Sequence, residues 1–387
     1  MPPSASFRSF RLERYFAAHE FAVKHLLCCS DAQPLSQREL LGLADAECLQ
    51  LWDSLGLGYT ESQGLPLLRD EIAKQYAGGV SRAQVLCCAP QEGILLSHAL
   101  LKPGDELVVT TPGYQSATSL AEDMGVTVHC WKPRRAADGS LHFAVDDLSA
   151  LVSSKTRMIH VNFPQNPTGC CPTRAEWAEI VEVARASNAI LFSDEVYRGL
   201  KPDPADELPP AADLYERAIS LGALSKAHGL AGLRAGWLVT RDADLYSTLQ
   251  EGKDFTTICA CAPGEILALI ALRASERILE KNRRLLSSNL ELVAVFMAKW
   301  AAVFEWPRPA AGSVCWPRLR SAEPVDAFCL RVLRGCGVLL LPSTCYDHGI
   351  EGEEAARFRL GFGRTDCGAV LAVLDGWLTS GGATAPA

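Results

Sequence analysis

Four short stretches carry residue types and spacings that could do chemistry together. In SLGALSKAHGLAGLRAGW (220–237), Lys226 sits among Gly, Ala, Leu and Ser, and Arg234 follows eight residues on. A surface lysine keeps charged or polar company. Apolar company disfavours the ammonium form, and a neutral amine is both a nucleophile and a base; a lysine snorkelling from a helix end is the alternative. SDEVY (193–197) sets Asp194, Glu195 and Tyr197 at the end of an apolar run, and NFPQNPTG (162–169) sets Asn166 in a turn. Alone, each reads as a solvated loop or a helix start. In an open α/β sheet, however, ligands sit at the carboxyl ends of strands. ARFRLGFG (356–363) adds Arg357 and Arg359, spaced to share one strand face.

The elements that must position these residues are legible as a pattern. The runs QVLCCA (84–89), DELVVTT (105–111), RMIHVNF (157–163), AILFSDE (189–195), AISLGAL (218–224) and RAGWLVT (234–240) are continuously apolar, as strands buried on both faces are. Helical stretches such as EGILLSHALL and RAEWAEIVEVARAS lie between several of them. Strand–helix alternation predicts an α/β domain with a mostly parallel sheet between helices. The tail changes character: a helical pattern over 280–304 leads into short strands GSVCWPRL, GVLLLP and RFRLGFG. The expected division is an N-terminal segment 1–45 packed on the small domain, a large domain 46–279 and a small α+β domain 280–387. The final ATAPA is expected to be disordered.

Composition narrows the function classes. The 387 residues are 48% hydrophobic and 21% charged, the balance of a soluble globular protein, with no apolar run near the ~20 residues that span a bilayer. The start lacks the apolar core of a secretory signal, so the expected address is the cytoplasm. A net charge of −8 without a basic stripe argues against nucleic acid. The fifteen cysteines read as reduced thiols, and without C-x-x-C or H-E-x-x-H spacing no metal site is expected.

Together the motifs resemble, in order and spacing over roughly residues 45–365, the fold-type-I aminotransferase superfamily, the pyridoxal-phosphate (PLP) enzymes of aminotransferase class I/II. That resemblance implies a sheet of the seven-stranded type and a PLP cofactor. Lys226 would hold the cofactor as a Schiff base and then shuttle the substrate's α-proton. Asp194 would keep the pyridine nitrogen protonated, not Glu195, because side chains alternate along a strand. Tyr197 and Asn166 would donate to the ring's 3′ oxygen. Arg234, Ser225 and the N–H groups of Gln91, Glu92 and Gly93, where a helix starts at Pro90, would hold the phosphate. Tyr114 would stack on the ring, although a tyrosine after Pro-Gly also suits a packed turn. Tyr59, in LGYTESQGLPLLRDEIA (57–73), would reach the cofactor phosphate of a partner subunit, which implies a homodimer with shared active sites. Arg359 would bind the substrate α-carboxylate, with Arg357 as competitor. The implied activity is amino transfer between an α-amino acid and a 2-oxo acid.

Two departures qualify this. Ala223 stands where the superfamily often has a phosphate-binding serine. At the N-terminus, LLCCSDAQPLS (26–36) replaces the substrate-lining Gly-x-Pro-Asp-type segment and offers Ser30 and Asp31 instead. The stretch from RLERYF through SDAQPLS is more similar to a subgroup that includes capreomycidine synthase, whose members act on hydroxylated arginine and close a guanidino ring. An acidic pocket wall favours a basic side chain, while Asp31 also suits a helix cap or loop. The alternative activity is therefore a PLP-dependent lyase, cyclase or deaminase of a hydroxylated basic amino acid. A non-catalytic PLP sensor domain is a remote third: only about 45 residues precede the resemblance, without a basic helix-turn-helix.

Overall fold

The computed structural model describes residues 8–137 and 139–383; the tail expected to be disordered falls, after Ala383, outside the described residues. Seven strands form the main sheet: β1 (Val85–Cys88), β2 (Glu106–Thr110), β3 (Thr127–Trp131), β4 (Thr156–Asn162), β5 (Ile190–Asp194), β6 (Ala218–Ala223) and β7 (Gly236–Val239), in the order β1-β7-β6-β5-β4-β2-β3. Strands β2 to β6 pair in parallel, and β7 runs antiparallel to both neighbours. The reversal has a local cause. Between β6 and β7 the chain holds only a one-turn 3₁₀ segment, Ala231–Leu233, where a parallel return would use a helix.

Every residue of β5 and β6 is buried, which is why these runs read as continuously apolar. Strand β3 escaped that reading. It lies on the sheet's edge, exposed at Thr127 and buried only at Trp131, so its sequence VTVHCW carries no unbroken apolar run. In β4 and β5, Asn162 pairs with Asp194, and Asp194 pairs with Leu221 of β6. The carboxyl ends of three strands thus lie side by side, and the loops that leave them converge.

Three helices matter for the site: α1 (Arg11–His19), α2 (Pro90–His98) and α3 (Ser275–Lys299). Helix α3 starts and stops five residues earlier than the expected 280–304. Its last turn gives way so that Phe304–Glu305 can pair with Arg318–Leu319. The C-terminal part of the chain contains a three-stranded antiparallel sheet, β8 (Val314–Cys315), β9 (Leu341–Pro342) and β10 (Phe358–Gly361), in the order β8-β10-β9. His25–Leu26 pairs with Val338–Leu339, and the chain then crosses β10 closely. A Cβ on Gly361 would lie 1.8 Å from the carbonyl oxygen of Cys29, so only glycine admits this crossing. Helix α1 is tied to both sides: Tyr15 donates to the Leu340 carbonyl at 2.8 Å, and the Arg11 N–H to Gln115 Oε1 at 2.8 Å. Among the described residues no helix is long and apolar enough to cross a membrane. All fifteen cysteines are free thiols.

Candidate active site

A cavity of about 420 Å³ opens where β4, β5 and β6 end. Lys226, from the loop after β6, lines it and donates to Ser30 Oγ at 2.9 Å. Burial lowers its pKa from the ordinary lysine value; Asp31 and Asp194 oppose this, and Arg359 reinforces it. Asp194, the last residue of β5, is pushed the other way, up to about 7, because burial outweighs the Val196 N–H at 3.2 Å and the nearby Lys226. Glu195 faces the opposite side of the sheet, where its Oε1 accepts from the Ala211 N–H at 2.9 Å and the Ser220 hydroxyl at 2.8 Å.

Asn162 fixes the rim. Its Nδ2 donates to the Asp194 carbonyl and its Oδ1 accepts the Asn166 N–H, both at 2.9 Å. Asn166 in turn accepts from Arg359 Nη1 at 3.0 Å and from the Tyr346 hydroxyl at 3.3 Å. Arg359 also donates Nε to the Cys28 carbonyl at 2.9 Å and lines the cavity. Arg357 does not. It lies just before β10, turned to Glu354 at 2.6 Å and to the Trp316 carbonyl at 3.0 Å.

At the other end, Gln91, Ser225, Arg234 and Tyr114 line the cavity. Of the three helix-start N–H groups expected to be free, that of Gly93 is taken by the Ala89 carbonyl at 2.9 Å, which leaves Gln91 and Glu92. The Glu92 side chain turns back to the Ala89 N–H at 3.1 Å and to Thr257 at 2.7 Å, away from the cavity. Arg234 is exposed and adopts left-handed backbone geometry, φ 54°. Tyr114 donates to Glu13 at 2.8 Å. Tyr59 is 92% exposed and stands apart from the cavity.

Ser30 and Asp31 both line the wall, with Asp31 paired to Arg364 at 2.9 Å. Sequence reasoning missed the rest of that wall: Leu12, Glu13 and Phe16 of α1, and Glu20 just after it. The signal was present as Leu12 and Phe16 at i, i+4, but periodicity alone does not say what such a face covers.

The residues present fit PLP. The Tyr197 hydroxyl is buried with no hydrogen-bond partner, ready for the ring's phenolic oxygen. Asp194 is a buried acid that makes no ion pair with a lysine or arginine among the described residues, ready for a protonated ring nitrogen. The helix start, Ser225 and Arg234 offer anion donors, and Lys226 offers an amine for the aldehyde.

Comparison with known proteins agrees. The family model for aminotransferase class I and II matches residues 46–368. Capreomycidine synthase of Streptomyces vinaceus is 31% identical over 372 residues, covering 93% of this chain and 89% of that protein. A solved PLP-dependent aminotransferase from Streptococcus suis superposes with a TM-score of 0.86 at 26% identity, covering 97% of each chain. A solved PLP-dependent cyclase, OrfR, superposes with a TM-score of 0.85 at 28% identity, covering 97% of this chain and 99% of that one. Since the family match takes in most of the length and the strand ends present what the cofactor requires, the chain belongs to the aminotransferase class I and II family, and its cofactor is pyridoxal phosphate.

Proposed function

We propose that the protein removes the Cα proton of an α-amino acid with a guanidinium-type side chain, expels a β-hydroxyl as water and closes a ring. The observation that carries the substrate class is the acidic wall. Glu13, Glu20 and Asp31 line the same cavity as Arg359. Glu20 makes no ion pair among the described residues, and its pKa is raised by burial and by the charges of Asp31 and Glu13. Arg364 pairs with Asp31, and its charge and that of Lys226 offset the rise at Glu20 only in part. A cationic side chain would relieve that repulsion, whereas a second carboxylate would add to it.

In this reading Arg359 grips the α-carboxylate, Lys226 exchanges the Cα proton, and Asp194 holds the proton on the ring nitrogen. Tyr197 and Asn166 donate to the ring oxygen, and Gln91, Glu92, Ser225 and Arg234 hold the phosphate. Tyr114 covers the ring. PLP supplies the sink for the electron pair left at Cα. Ser30, 2.9 Å from the Lys226 amine, orients it. Ring closure is supported over amino transfer by the likeness to capreomycidine synthase along 93% of the chain. Amino transfer, the activity expected from the broad resemblance, is the second reading, supported by the fold shared with the aminotransferase from Streptococcus suis.

The test is to incubate holoenzyme with β-hydroxyarginine, arginine and alanine, each with and without pyruvate. The expected result is acceptor-independent turnover of hydroxyarginine to a cyclic product lighter by one water, reduced about 10²–10⁴-fold or more in Lys226→Ala. Pyruvate-dependent amino transfer from arginine without that product would overturn ring closure. Turnover of alanine alone would overturn the substrate class as well.

A further inference from the structure

We propose that the protein carries a second ligand site, for a small organic carboxylate, in a cavity behind Lys226. Along β5 and β6 successive residues face opposite sides of the sheet. Leu221, with Asp194, lines the active-site cavity, whereas Gly222, with Glu195, lines another of about 310 Å³. The loop after β6 serves both: it sends Lys226 to the first and His228 to the second.

The second cavity gathers donors that the protein uses only in part. Arg198 gives Nη2 to the Gln75 carbonyl at 3.2 Å, but its buried Nε has no partner. Arg283, on α3, gives Nη1 to the Gly199 carbonyl at 3.2 Å. Neither guanidinium makes an ion pair among the described residues. His228 is 6% exposed; its Nε2 lies 2.8 Å from Ser275 Oγ, and its Nδ1 has no partner. Burial pushes this imidazole down to about 4, so it is neutral near pH 7. With the Ser275 hydroxyl donating to Nε2, Nδ1–H is left as a donor.

The two acids that line the cavity are already engaged. Glu195 accepts from Ala211 and Ser220, and Glu207 accepts from the Gly199 N–H at 2.9 Å. Tyr76, Trp237 and Leu279 supply an apolar wall. Convergent guanidinium and imidazole donors beside apolar and aromatic surface are the chemistry that recognises a carboxylate on a short apolar body.

The site also adjoins the loop that carries Lys226. The Ala227 carbonyl, between Lys226 and His228, accepts from Asn282 of α3 at 2.9 Å, and the Lys226 carbonyl accepts from Ala32 at 3.1 Å. An occupant that holds His228 would therefore touch the loop that carries Lys226 without entering the first cavity.

Benzoate is the probe. Titrated calorimetrically into Arg359→Gln holoenzyme, which lacks the active-site carboxylate grip, it is expected to bind saturably at one equivalent per chain. Arg283→Gln and His228→Phe, each added to that background, are expected to weaken binding by about tenfold or more. A crystal of the wild-type holoenzyme soaked with para-iodobenzoate should place iodine in this second cavity, against the wall that Tyr76 and Trp237 form. Iodine confined to the active-site cavity, no saturable binding in the Arg359→Gln background, or binding indifferent to both further substitutions would each overturn the proposal.

Discussion

Asp194 and Lys226 experience the same burial and answer it in opposite directions, the acid rising to about 7 and the amine falling. Both shifts are in the direction of the neutral form. The stability consequence is clearest for Asp194. Its folded pKa exceeds its ordinary value of 3.8, so the native state binds the extra proton between 3.8 and about 7. Relative stability from this group is therefore full below 3.8 and is lost as pH rises through about 7. Asp194→Asn removes the buried charge. Its expected effect is a higher melting temperature of the apoprotein at pH 8, with the gain gone near pH 4, measured by calorimetry. A gain of equal size at both pH values would mean that packing, not ionisation, is responsible. In the holoenzyme the same substitution should lose activity, because the ring nitrogen loses its counter-charge, whereas Glu195→Gln, bonded to Ala211 and Ser220 on the other face, should lose far less.

At the scale of elements, β4 to β6 set the positions of Asn162, Asp194 and Lys226, and α1 sets the wall they face. The strands were legible because burial on both faces demands continuous apolar runs. Helix α1 was read as part of a segment packed on the small domain, where Arg11 pairs with Asp347, and it also bonds Gln115 from outside that domain. Glu13 and Glu20 owe their place in the cavity to those ties. Glu20→Gln is expected to raise KM for a guanidinium substrate roughly tenfold, the size of one charge-assisted bond, and to leave kcat within a few-fold. Steady-state kinetics on arginine-type and neutral substrates separate the cases. An equal loss on both would make Glu20 a structural residue and remove it from specificity.

At the scale of the whole molecule, the cavity reaches Arg234, which is exposed. Nearby lies apolar surface: Leu57 is 83% exposed, Tyr59 92%, Phe255 90% and Ile258 52%. The two segments are joined, since Thr60 donates to the Ala260 carbonyl at 3.1 Å and Lys253 to the Ser62 carbonyl at 2.7 Å. Contiguous apolar exposure of this kind marks an association surface. A homodimer that covers it and brings Tyr59 to the partner's phosphate is the expected assembly. Weakly active Tyr59→Phe and Lys226→Ala chains, mixed and allowed to exchange, should then recover part of the activity, because each mixed dimer contains one site with both native residues. Full activity in a sedimenting monomer would refute shared sites.

What the sequence determined by itself was whatever depends on local patterning. Apolar runs marked six of seven strands, the odd one being the half-exposed edge strand β3. An apolar-flanked lysine, an acid at a strand end and a Pro-started helix marked residues that all reach one region. These are short-range consequences of burial, and burial leaves its period in the chain. What only the tertiary structure decided were juxtapositions of distant segments. Arg357 and Arg359 are equivalent by spacing, and the loop before β10 turns one to Glu354 while β10 sends the other to Asn166. Asp31, itself in a loop, became a cavity residue because Gly361 lets residues 27–31 cross β10 in contact. Glu13, Glu20 and Asp31 share a wall although α1 and the crossing segment are separate in sequence. No local period encodes such a meeting; it follows from how the N-terminal segment packs, with α1 bonded both to Gln115 and to Leu340.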